Sequence, residues 1–131
     1  MKVVYTSDHI EIIHHEDSQI LEQIVHQKVD DEGLFKRSLL SFLEQMETCK
    51  PRRTLWDLRH LEFVISPSLE TWIDENINAR EVAFGIEREA FLVSEVPAAE
   101  ASVEETMESK YGGQLNTAYF NSRDQALEWL T

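Results

Sequence analysis

A stripe of large apolar residues at helical spacing sets the first limit on what this chain can become. Phe35, Leu39, Phe42, Leu43 and Met46 fall at i, i+4, i+7, i+8 and i+11, the pattern of one buried helix face. The spacing predicts an amphipathic helix over residues 31–49, stopped by Pro51. An apolar helix face needs a surface to cover, and "RTLWDL" at 53–58 reads as a short buried strand directly after it. Helix then strand, repeated downstream, is the grammar of a largely parallel sheet with packed helices.

The flanking segments extend this pattern. Residues 2–6 and 9–15 are rich in β-branched side chains and are parted by Ser7 and Asp8, which predicts a hairpin. Residues 19–26 carry two periodicities: Ile20, Glu22, Ile24 and His26 would share one strand face, while Ile20, Leu21, Ile24 and Val25 would share one helix face. Ser66 and Pro67 suit the N-cap and first position of a helix whose buried stripe is Leu69, Trp72, Ile73 and Ile77. After Gly85, "AFLVS" at 90–94 reads as a strand. Ser102 and Glu105 have capping-box spacing and place the next helix at 102–110, closed by a left-handed glycine in "YGG" at 111–113. "QLNTAYF" at 114–120 is the last strand. Ser122 and Gln125 repeat the capping-box spacing before a short helix carrying Ala126, Trp129 and Leu130. The expectation is one α/β domain over residues 1–131, with a mixed sheet, flanking helices, strands first and then α and β in alternation.

Charge narrows the partners. With 25 acidic against 12 basic residues in 131, the formal charge is −13, and a phosphate backbone would be repelled. Nucleic acid is therefore excluded as an expected ligand. The second half is the more acidic: residues 1–65 hold 8 basic and 12 acidic side chains, residues 66–131 hold 4 and 13. Cys49 is the single cysteine and cannot form an internal disulfide, and the N-terminal residues lack a long apolar leader core, so a cytoplasmic location is expected. No apolar run approaches the ~20 residues of a membrane helix, and no transmembrane segment is expected.

From residue 53 onward the order of motifs resembles the SpoIIAA-like group of the STAS superfamily, which is itself similar to the lipid-binding lobe of Sec14-type proteins. Three stretches carry the resemblance: "LWDLRHLEFVISPSLETWIDE" at 55–75, "AFLVSEVPAAEASVEE" at 90–105, and "YFNSRDQALEWL" at 119–130. Residues 1–52 match only in the order of strands and helix. The resemblance implies a mixed sheet with flanking helices. In anti-anti-sigma members, a strand leads to an Asp-Ser-Ser-Gly turn whose second serine is phosphorylated. Gap-free alignment of "VISPS" with that turn puts Ile65 at the aspartate, Ser66 at the first serine, Pro67 at the phosphorylated serine and Ser68 at the glycine. Proline has no hydroxyl, so the ordinary phosphoswitch is expected to be absent unless Ser66 or Ser68 replaces it.

Candidate sites follow from residue chemistry. In open α/β sheets, ligands gather beyond the carboxyl ends of strands. That directs attention to Asp57 and Arg59 after the "RTLWD" strand, with Ser66 and Ser68 across the loop. Asp57 also suits a plain loop cap or a pair with Arg59, and Ser66 is accounted for as an N-cap. Of the five histidines, His14 and His15 would point to opposite faces of a strand, and no His or Cys spacing fits a zinc pattern, so no metal and no cofactor is expected. Cys49, near a helix C-terminus, meets opposing influences on its thiol: the helix dipole raises the pKa, while Lys50, Arg52 and Arg53 lower it. Trp56, Trp72 and Trp129 are expected in the core, and Glu100, Glu104, Glu105 and Glu108 on a solvated helix face. With no nucleophile or acid–base pair identified, the expected role is a non-catalytic regulatory or protein-interaction module. The alternative is a carrier of a small apolar or lipid ligand. A homodimer is expected, because helices covering one sheet face would leave "VVY" or "IEII" residues uncovered on the other.

Overall fold

The computed structural model describes residues 1–26 and 31–131. β1 (Lys2–Thr6) and β2 (Ile10–His15) form the expected hairpin, and the Ser7 hydroxyl accepts from the His9 and Ile10 amides in its turn. Residues 20–25 are β3 (Ile20–Val25), antiparallel to β2 and parallel to β4 (Arg53–Asp57). Pairing on both edges resolves the double periodicity: a segment between two strands satisfies its backbone laterally.

α1 (Glu32–Cys49) begins at Asp31, whose carboxylate accepts from the Gly33 and Leu34 amides, and it buries the five stripe residues. After β4 comes a continuous helical stretch: α2 (Pro67–Ile73), a π-helical turn (Asp74–Asn78) and α3 (Ala79–Phe84), closed by Gly85 at φ 95°. β5 (Arg88–Leu92), α4 (Pro97–Met107), a 3-10 turn (Gly112–Gln114), β6 (Thr117–Phe120) and α5 (Arg123–Leu130) complete the chain.

The six strands lie in sequence order, β1-β2-β3-β4-β5-β6, with β3 to β6 parallel. Successive right-handed crossovers in one direction place their helices on one side. Accordingly α1, α2–α3 and α4 share the larger core with Ile12, Trp56 and Phe91. α5 alone packs on the reverse face, where Ala126 and Leu130 meet Ile20, Leu55, Ala90 and Leu92. No helix among the described residues is long and apolar enough to cross a membrane.

Three sequence expectations are corrected. The fourth helix starts at Pro97, not Ser102, because proline at its first position follows an extended Val96. Ser102 is interior and buried, and its hydroxyl donates to the Ala99 carbonyl and accepts from the Ile65 amide. The helix does not end on a left-handed glycine, since Gly85 is the glycine with positive φ among the described residues. Gly112 serves packing instead: a Cβ there would lie 2.9 Å from Met107 Cα and from the Thr106 carbonyl oxygen. The last strand is accordingly shorter than 114–120, because residues 112–114 are a 3-10 turn.

The π-helical turn is anchored by Asp74. Its carboxylate accepts from the Ser109 hydroxyl, the Asn78 amide group and the backbone amides of Tyr111 and Gly112. Desolvation pushes this carboxyl up, and those hydrogen bonds more than offset it, leaving its pKa below the ordinary range.

Candidate functional site

Asp57 and Arg59 do come together. Arg59 Nε and Nη2 donate to the two Asp57 carboxylate oxygens at 2.9 and 2.7 Å. Ser66 caps α2, accepting from the Leu69 amide at 3.3 Å, and its hydroxyl lies 3.3 Å from that of Ser68. Ser66 and Ser68 belong to a different packing layer from the Asp57 side chain. Asp57 shares its strand face with Leu55, on the α5 side, whereas Ser66 opens a helix that packs on the opposite side. Pro67 is the first residue of α2.

Other expectations are resolved similarly. His14 and His15 project to opposite faces, and His15 Nε2 lies 2.8 Å from Glu22 Oε1. Among the described residues no three His, Cys, Asp or Glu side chains converge as metal ligands would. Burial, more than any neighbouring charge, raises the Cys49 thiol pKa. Trp56 is core, while Trp72 and Trp129 are half-buried beneath the cations of Lys36 and Arg88. Glu104, Glu105 and Glu108 are exposed; Glu100 instead turns inward and accepts from the Ser94 amide.

The most unusual chemistry lies inside the larger core. One cross-sheet row on that face reads Ile12, Gln23, Trp56, Phe91, Tyr119, and the adjacent row pairs Thr54 with Glu89. Above these rows, α1, the π-helical turn with α3, and α4 border a cavity of about 50 Å³. Apolar side chains such as Leu39, Ile77, Val103 and Met107 line most of it.

Seven polar side chains among the described residues line the same cavity, Ser38, Asn78 and Thr106 together with Gln23, Trp56, Glu81 and Glu89, the last four being 2%, 4%, 1% and 1% exposed. Three of them present an atom with no hydrogen-bond partner: Gln23 Oε1, Trp56 Nε1 and Glu81 Oε2. Buried polar atoms in folded proteins are almost always paired, so three orphans on residues that line one space single that space out. Glu89 is held from the other side by the Thr54 hydroxyl, which donates to it at 2.9 Å.

Burial raises the Glu81 carboxyl pKa well above its ordinary value, and the charge and hydrogen bond of Glu89 raise it further. Ionising Glu81 beside a second buried carboxyl is costly, so Glu81 keeps its proton to higher pH than a free glutamate. Among the described residues no Lys, Arg or His lines the cavity.

This site was missed at the level of sequence because its members come from β3, β4, α3 and β5. A signal for Glu81 did exist: Leu69, Ile73 and Ile77 recur every four residues, and the next step of that buried stripe is Glu81. No family model, no curated protein and no solved structure matches the chain.

Proposed function

We propose that this protein is a non-catalytic regulatory module whose signal is a small ligand seated in the cavity between the sheet and helices α1, α3 and α4. The observation that carries this reading is that three residues lining one largely apolar space each hold a buried polar atom with no hydrogen-bond partner. Apolar walls with a few oriented polar groups are the general form of a small-molecule site. The π-helical turn adds support, because such turns recur at functional sites and this one supplies Ile77 and Asn78 to the cavity wall.

Size selects the occupant. A water needs about 10–15 Å³ of such space, so 50 Å³ admits about four heavy atoms. A long acyl chain would require the core to open, which favours a compact ligand over a lipid. The strand-first order, sequential parallel strands and three crossover helices on one face support a SpoIIAA-like fold assignment.

Thermal denaturation with small amphiphiles tests the reading. Propan-1-ol, propylamine, ethanolamine and propionamide are the probes, with Ser38→Leu as a cavity-filling variant. The Ser38 hydroxyl bonds only to the Leu34 carbonyl of its own helix, and its side chain lines the cavity. At least one probe should raise the melting temperature of the parent protein, as binding to the folded state must, and fail to raise that of the variant. Failure of every probe, or an equal rise in both proteins, would overturn the proposal.

A further inference from the structure

We propose that the cavity is selective for a short amino alcohol, bound as its ammonium ion, with the ammonium on Gln23 and Glu81 and the hydroxyl on Trp56. This rests on the cavity reading above and specifies the chemistry of its occupant. The unpartnered atoms define a complement. Gln23 Oε1 and Glu81 Oε2 are acceptors, and Trp56 Nε1 is a donor. The matching ligand therefore brings two donated hydrogen bonds and one acceptor.

Charge decides what carries those donors. Glu81 and Glu89 are buried together, and among the described residues no basic side chain lines the space. A buried carboxylate without a cation is costly, and an ammonium supplies both the missing charge and several donors. An anionic ligand would meet like charge.

The aromatic row strengthens the preference. Trp56 and Phe91, which both line the cavity, stack with ring centroids 6.4 Å apart. Electron-rich ring faces favour a cation close by. A hydroxyl then uses the Trp56 indole N–H, which an ammonium alone cannot, having no lone pair to offer. Two carbons, one nitrogen and one oxygen also meet the size limit of about four heavy atoms set by the 50 Å³ space.

Isothermal calorimetry with four probes separates the elements of this proposal. Ethanolamine should bind tightest. Propylamine, which lacks the acceptor, should bind about tenfold more weakly, as one lost hydrogen bond requires. Propan-1-ol should be weaker again, and propionate should not bind. In Glu81→Gln, ethanolamine should lose about tenfold or more in affinity while propan-1-ol is unchanged. Gln23→Leu provides a second variant with the same expected direction should the first fail to fold.

Propan-1-ol binding as tightly as ethanolamine to the parent protein would overturn the amino-alcohol proposal and leave the cavity reading standing. Preference for propionate would do the same. No heat of binding with any probe would overturn both.

Discussion

Arg123, at the start of α5, grips Glu22, in the middle of β3, across 101 residues of sequence: its Nε and Nη2 donate to the two carboxylate oxygens at 3.0 and 2.7 Å. Glu22 is fully buried and has His15 as its other partner. The pair fixes the N-terminal end of α5 against the sheet, while Ala126 and Leu130 anchor the rest of the helix. Removing the arginine would strand a buried carboxylate, so Arg123→Leu should cost about 3 kcal/mol in urea denaturation. The double variant Glu22→Leu with Arg123→Leu should cost clearly less than the single one. A double variant at least as unstable as Arg123→Leu would mean that the pair, not the stranded charge, supplies the stability.

Gly112 should tolerate no side chain. The Cβ of Gly112→Ala would press on backbone atoms of Met107 and Thr106, which cannot swing aside. A loss of about 2 kcal/mol is expected, the usual cost of overpacking. Gly113→Ala is the control, since its nearest contact would be an ordinary 3.6 Å. Similar melting temperatures for the two variants would contradict this.

Glu81 should make the protein less stable as pH rises. The folded-state pKa of Glu81 lies above the unfolded value of 4.5, because burial and then Glu89 disfavour its charge. Its folded form therefore binds the proton more tightly. That contribution is complete below about pH 4.5 and is lost as pH climbs through the raised folded value. Urea denaturation across this range should give a falling unfolding free energy for the parent protein and a flatter profile for Glu81→Gln. Identical slopes would place the pH dependence elsewhere.

Self-association should strengthen with salt. The reverse sheet face is covered by α5 mainly over β4, β5 and β6. Beyond it, Val3 is 47% exposed and Ile24 half-buried, although Ile10, Ile12 and Ile13 are buried within the chain, so the open apolar strip is narrower than the "IEII" pattern suggests. A two-fold dimer over this strip would bring two charges of −13 together, which added salt screens. Light scattering at micromolar concentration should give a dimer mass in moderate salt and a lower mass in low salt. A monomer in both would refute the dimer.

The legible parts of this fold were those governed by local spacing. The Phe35 to Met46 stripe announced α1, because helical periodicity needs no knowledge of the partner surface. Two capping-box spacings looked alike, yet only Ser122 caps a helix, accepting from the Gln125 amide. The Ser102 hydroxyl is taken by residues 65 and 99, one of them 37 positions away, which local spacing cannot foresee. The cavity was hidden for the same reason. Glu89 and Glu81 are ordinary surface residue types, and only the crossover from α3 into β5 brings both residues to the wall of one space.

The indole N–H resonances give the most direct measurement of the central claim. The chain has three tryptophans, hence three such signals, and assignment needs only Trp56→Phe, Trp72→Phe and Trp129→Phe. Trp56 Nε1 is buried at the cavity without a partner, while the rings of Trp72 and Trp129 sit under surface cations. Titration with ethanolamine should move the Trp56 signal saturably and leave the other two in place. An unmoved Trp56 signal across that titration and across one with propan-1-ol, or equal movement of all three, would contradict a ligand site in this core.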